Sequence, residues 1–120
     1  MPAEWIKQDG RTLADLVKAY KDKLLMIVFY AEWCKPCTSL IKYVLPAVAK
    51  QAGEGVAICL LDIKEDENYF AYKDYKSRHI PLTVFFREGK EIERIIGMKE
   101  VKAEVAVKAY IRRINYCQKR

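Results

Sequence analysis

The run Leu24-Leu25-Met26-Ile27-Val28-Phe29-Tyr30 constrains the fold more than any other segment of this chain. A strand with one wet face alternates apolar and polar residues. This run is rich in strand formers and does not alternate, so it needs cover on both faces. It reads as a central strand sandwiched between helices. Ahead of it, Leu13, Leu16, Val17 and Tyr20 keep helical spacing, and Thr12 with Asp15 has the form of a capping box. Beyond it, Leu40, Ile41, Val44, Leu45 and Val48 resume the helical period, which predicts a long helix from about Cys34 towards Gly53. Pro46 falls inside that helix. Proline lacks the N–H and collides with the carbonyl four residues back, so a kink is expected between Lys42 and Pro46.

Val56 to Leu61 reads as a second buried strand ending at Asp62, and Tyr69, Phe70, Tyr72 and Tyr75 mark an aromatic helical segment whose rings are expected to pack. Leu82–Arg87 and Glu91–Ile96 read as short strands joined through Glu88-Gly89-Lys90, a three-residue connection suited to an antiparallel hairpin. Gly97 breaks the pattern, and Val107, Tyr110, Ile111 and Ile114 define a last helix. This order of elements predicts a three-layer α/β domain with a mixed sheet.

With 120 residues, 52% of them hydrophobic, the chain suffices for one domain and is too short for two. The expected unit is residues 1–114, followed by a short basic tail at 115–120. Met1-Pro2-Ala3-Glu4 lacks the basic start and unbroken apolar stretch of a secretion signal. The apolar stretch Leu24 to Ala31 is far shorter than the roughly 20 residues that span a bilayer. A soluble, cytoplasmic monomer without membrane contact is therefore expected. The excess of 22 Lys and Arg over 16 Asp and Glu gives a formal charge of +6, which suits acidic partners. Lys102, Lys108, Arg112, Arg113, Lys119 and Arg120 lie on or after the last helix, where cations suit a helix C-terminus. No nucleic-acid-binding signature accompanies them, and they read as a solvated face.

Two cysteines separated by two residues, Cys34-Lys35-Pro36-Cys37, can bind zinc or form a disulfide, so context must decide. Here the pair follows a buried strand and opens a helix, where free N–H groups and the helix dipole stabilise a thiolate. Only the thiolate attacks disulfides, so this placement activates Cys34, and Lys35 adds a cation. Cys37, one turn on, can resolve a mixed disulfide formed at Cys34. Pro36 stiffens the turn at a position where its missing N–H costs little. Trp33 offers either a flat apolar surface to an incoming peptide or simple packing against the helix.

Phe29-Tyr30-Ala31-Glu32-Trp33-Cys34-Lys35-Pro36-Cys37 resembles the strand-to-active-site segment of the thioredoxin family, departing at Lys35, where glycine is usual. Pro46 matches the family's helix kink, Ile80-Pro81 its cis-proline site, and Gly89 and Gly97 its turns. The resemblance covers most of residues 4 to 114. It implies a thioredoxin fold, a three-layer α/β/α domain with a central mixed sheet of four to five strands and about four helices. It also implies a protein-disulfide reductase that cycles Cys34 and Cys37 between dithiol and disulfide, with no bound cofactor and no metal. The implied peptide groove comprises Trp33, Ile80, Pro81 and Gly97. The implied partners are disulfide-containing proteins, with an NADPH-dependent thioredoxin reductase as electron donor.

Two departures bear on turnover. Family members usually bury an aspartate six positions before the first cysteine, where this chain has Val28, and its usual partner position falls near Ile58 or Cys59. Losing both together leaves no buried charge unpaired. Cys37 must then lose its proton to water or another group, and His79, two residues before Pro81, is the candidate, the alternative being an exposed loop histidine without a role. Lys35 is expected to favour the thiolate and make the pair more oxidising than a glycine version. Cys59 reads as a core residue and Cys117 as a tail cysteine open to solvent. The competing readings are an oxidase or isomerase, a thioredoxin-fold binding module with slow turnover, and half of a zinc site whose second ligand pair is missing.

Overall fold

Leu24–Tyr30 forms the middle strand of a five-stranded sheet in the computed structural model, which describes residues 2–7, 9–98 and 102–119. Met1 and Arg120, the first residue of the expected domain and the last of the expected tail, lie outside the described residues. The strands are β1 (Glu4–Ile6), β2 (Leu24–Tyr30), β3 (Val56–Asp62), β4 (Leu82–Arg87) and β5 (Lys90–Ile96), in the spatial order β1-β3-β2-β4-β5. β1, β3 and β2 are parallel, whereas β4 runs antiparallel to β2 and β5 to β4. The helices are α1 (Leu13–Ala19), α2 (Lys35–Ser39), α3 (Leu45–Ala52), α4 (Asp66–Lys73) and α5 (Ala103–Lys119), with a π-helical turn at Leu40–Val44 joining α2 to α3.

Alternate residues of β2 and β3 feed two cores. Leu24, Met26 and Val28 with Val56, Ile58 and Leu60 face α3 and α5. Leu25, Ile27 and Phe29 with Ala57, Cys59 and Leu61 face Leu16 of α1 and Tyr72 of α4. Both faces of β2 are thus covered, which is what a run without polar positions requires. The capping box that starts α1 is complete: the Asp15 N–H donates to Thr12 Oγ1 and the Thr12 N–H to the Asp15 carboxylate.

Three expectations are corrected or sharpened, and one strand is added. The kink before Pro46 takes the form of the π-turn, in which the Leu45 N–H donates to the Leu40 carbonyl five residues back. The hairpin connection is the two-residue turn Glu88-Gly89, because both residues adopt positive φ (53° and 82°) and Lys90 already belongs to β5. The segment expected as a tail continues α5 to Lys119, and Cys117 is fully buried in the core. Val107, Tyr110, Ile114 and Cys117 form one stripe, and Arg87 Nη1 donates to the carbonyls of Cys117 and Gln118, holding the helix end. Finally, β1 has no counterpart in the sequence reading, since three residues are too few to display a period. It is fastened by the Ala3 N–H to the Ala49 carbonyl (2.8 Å) and by Glu4, which accepts from the Tyr20 hydroxyl and Lys23 Nζ.

Candidate active site

The site lies at the C-terminal end of β2, where the chain leaves the sheet and turns into α2. Cys34 is the N-cap of that helix, and its Sγ accepts the Cys37 N–H at 3.2 Å. A side-chain acceptor at this position satisfies a helix-end donor that has no partner within the helix. α2 is short by itself, but it continues through the π-turn into α3, so the dipole behind Cys34 is that of a longer helix. Pro36 occupies the first turn, where its missing N–H breaks no helical bond.

Cys34 and Cys37 form a disulfide with Cα atoms 5.2 Å apart. They differ in access: Cys34 retains 6% of its surface and Cys37 none. Ala31 completes their apolar cluster, with Tyr30, Ile63 and Ile80 packed against it. The sequence reading missed Tyr30, Ala31 and Ile63 as site residues. A signal existed for Ile63, because pairing β2 with β3 in parallel register sets Tyr30 opposite Asp62, and the Ile63 N–H donates to the Tyr30 carbonyl (2.9 Å).

The Ile80–Pro81 bond is cis, and the Ile80 carbonyl oxygen lies 3.6 Å from Cys34 Sγ. Pro81 is buried at the head of β4, and its carbonyl accepts the Gly97 N–H at 2.8 Å. Gly97 adopts φ +74°, a conformation that disfavours any side chain, so the backbone bends there beside Pro81. Trp33 is 77% exposed and stands clear of the core. Lys35 and Pro36 are exposed as well. Glu32 pairs loosely with Lys64 (3.8 Å), both well exposed.

The neighbourhood of Val28 is largely apolar, with the Thr83 hydroxyl as a neutral polar group beside it. Val28 pairs with Leu60 on β3 and Thr83 on β4, and Ile58 and Leu60 share its face. Cys59 points to the opposite face, so Ile58 rather than Cys59 lies on the side of Val28. Thr83 is buried, with its hydroxyl 3.0 Å from that of Tyr110. Burial pushes the Cys59 thiol up to about 12 and the Tyr110 hydroxyl likewise to about 12. The His79 side chain is exposed. Its main chain is the anchored part, with the N–H donating to Ser77 Oγ and the carbonyl accepting from Ser77 Oγ and the Tyr72 hydroxyl. Among the described residues no group of three or more His, Cys, Asp or Glu is placed to hold a metal ion.

The Thioredoxin family model matches residues 6–111. The chain belongs to the thioredoxin family. A thioredoxin of Echinococcus granulosus is 36% identical over 96 residues, covering 79% of this chain and 84% of that protein. Thioredoxin H2-2 of Oryza sativa is 31% identical over 109 residues, covering 91% and 75% respectively. Among solved structures, a mutant thioredoxin from Halobacterium salinarum superimposes with a TM-score of 0.68 at 29% identity, covering 94% of this chain and 92% of that one. The fold is the thioredoxin fold, and the function is that of a thiol-disulfide oxidoreductase, a protein-disulfide reductase. No helix among the described residues is long and apolar enough to cross a membrane.

Proposed function

We propose that Cys34 is the attacking thiol and Cys37 the resolving thiol of this reductase. The observation that carries the assignment is the difference in access, with Cys34 at the surface end of the helix and Cys37 sealed beneath it. The Cys34 thiolate attacks one sulfur of a substrate disulfide. A mixed disulfide forms and the other substrate sulfur leaves as a thiolate that takes up a proton. Cys37, deprotonated, then attacks Cys34 Sγ, forming the Cys34–Cys37 disulfide and releasing the second substrate thiol. Two electrons reach the substrate and the protein is left oxidised. We assign its re-reduction to an NADPH-dependent thioredoxin reductase.

Trp33, Ile80, Pro81 and Gly97 form the substrate surface in this reading, Trp33 through its exposed ring and Ile80 through its main chain beside Cys34. Lys35 and Pro36 tune the thiolate, the first by charge and the second by stiffening the turn. His79 is the proposed proton carrier for Cys37, and its exposure lets it exchange protons with water. A pH profile of disulfide reduction unchanged in His79→Ala removes that role. The protein acts as a cytoplasmic monomer, and its working domain includes the end of α5, where Cys117 is buried in the core. The apolar surroundings of Val28 favour a second reading, a binding module whose turnover is slow for want of a buried base.

The deciding experiment is substrate trapping with Cys37→Ser. The variant is expected to accumulate mixed disulfides through Cys34 that dithiothreitol releases, and the double variant with Cys34→Ser is expected to accumulate none. Equal trapping by the two variants would refute the assignment.

A further inference from the structure

We propose that the buried Tyr72 hydroxyl is a positioning group for substrate recognition. By holding the His79 carbonyl, it aims the main-chain N–H of Ile80 at the segment that docks against Cys34. This inference rests on the oxidoreductase reading above.

Tyr72 on α4 is 8% exposed, and its ring sits 5.8 Å from that of Phe29, so packing fixes where its hydroxyl points. The hydroxyl donates to the His79 carbonyl at 3.3 Å, and Ser77 Oγ donates to the same oxygen at 3.0 Å. Arg94 of β5 braces the other end of this loop, donating from Nη1 to the Tyr75 carbonyl (3.1 Å) with its guanidinium 5.0 Å from the centre of the Tyr75 ring. The loop that ends at Ile80 is thus tied to α4 and to the edge strand.

Ile80–Pro81 is the only cis peptide bond among the described residues, so the bond from His79 to Ile80 is trans. In a trans peptide the C=O and N–H point in opposite directions. Turning the His79 carbonyl inward to Tyr72 therefore turns the Ile80 N–H outward. That N–H has no hydrogen-bond partner among the described residues, and the carbonyl of the same residue lies 3.6 Å from Cys34 Sγ. Ile80 thus presents one donor and one acceptor beside the reactive sulfur, which an extended peptide can pair with on both sides of its own cysteine. If the carbonyl is released, the peptide plane can swing, and binding must first order it again.

The test compares prereduced wild type and Tyr72→Phe in single-turnover reduction of excess insulin and of cystamine, a small disulfide with no peptide backbone. Tyr72→Phe is expected to raise the half-saturating insulin concentration about fivefold, the scale of one ordinary hydrogen bond. The limiting rate and the rate with cystamine are expected to stay at wild-type values. An unchanged half-saturation overturns the proposal, and so does an equal loss on both disulfides, which marks a general disturbance of the thiols. Ser77→Ala removes the other donor without touching the core and is expected to raise half-saturation about twofold. If Tyr72→Phe fails to fold, absence of that rise overturns the proposal. A wild type inert towards both disulfides is a separate failure, that of the oxidoreductase reading itself.

Discussion

Cys34 keeps a thin edge of exposure and a backbone N–H on its sulfur, whereas Cys37, Cys59 and Cys117 are sealed in apolar surroundings. Reactivity should follow that division. Brief alkylation of the reduced native protein near neutral pH is expected to modify Cys34 alone, with Cys59 and Cys117 labelled only after unfolding. Peptide mapping checks it, and early labelling of Cys59 would contradict a thiol pushed up to about 12 by burial. Lys35 supplies the second expectation at this position. In the proposed tuning role its cation favours the thiolate and hence the reduced pair, so Lys35→Gly is expected to make the reduction potential more negative. Equilibration against a glutathione buffer measures the shift, and a value equal to or above wild type removes the argument. Both the cysteine pair and its lysine were legible in the sequence because their spacing and their place after an apolar strand are local properties. The difference in burial was not, since Cys34 and Cys37 sit within one helical turn and only the sheet beneath decides which is covered.

β1 is short, so side chains carry much of its attachment. The Tyr20 hydroxyl holds the Glu4 carboxyl below its ordinary range against the opposing effect of burial, with Lys23 and Arg11 helping. A carboxyl depressed in the folded state stabilises that state above its unfolded pKa, and the stabilisation is lost as pH falls through the folded pKa. Tyr20→Phe is therefore expected to be less stable than wild type near neutrality, with the gap narrowing as pH falls below the ordinary carboxylate range. Urea unfolding at several pH values checks the sign, and a gap that widens in acid would refute it. α1, β2, the redox helix and the hairpin were readable as elements, because each carries a full period or a cap within its own length. Cys117 shows the converse. Its place three residues after Ile114 continued the stripe from Val107, but a tail cysteine offers no local sign of burial, and α5 is completed by Arg87 from a distant strand.

The two cores on either side of β2 make the molecule intolerant of charge at its centre. Val28 is fully buried between Leu60 and Thr83, and no Lys or Arg is buried among the described residues. Restoring the family's usual aspartate alone, as Val28→Asp, is expected to cost about 3 kcal/mol or more near neutral pH. The loss should shrink in mild acid, where the buried carboxyl can take up a proton. Urea unfolding at the two pH values measures it, and a near-neutral cost well under about 1 kcal/mol would show that the site is wetter than its packing indicates.

By itself, the sequence determined the layer order, the central strand and the redox pair, because periodicity, capping and spacing act over a few residues at a time. Only the tertiary structure decided that Cys34 is the accessible sulfur, that the Ile80 carbonyl meets it, that Tyr72 holds the loop behind it, and that Cys117 lies inside. Each of those facts depends on segments far apart in the chain being packed together, and no local pattern specifies which side chain fills the space between them.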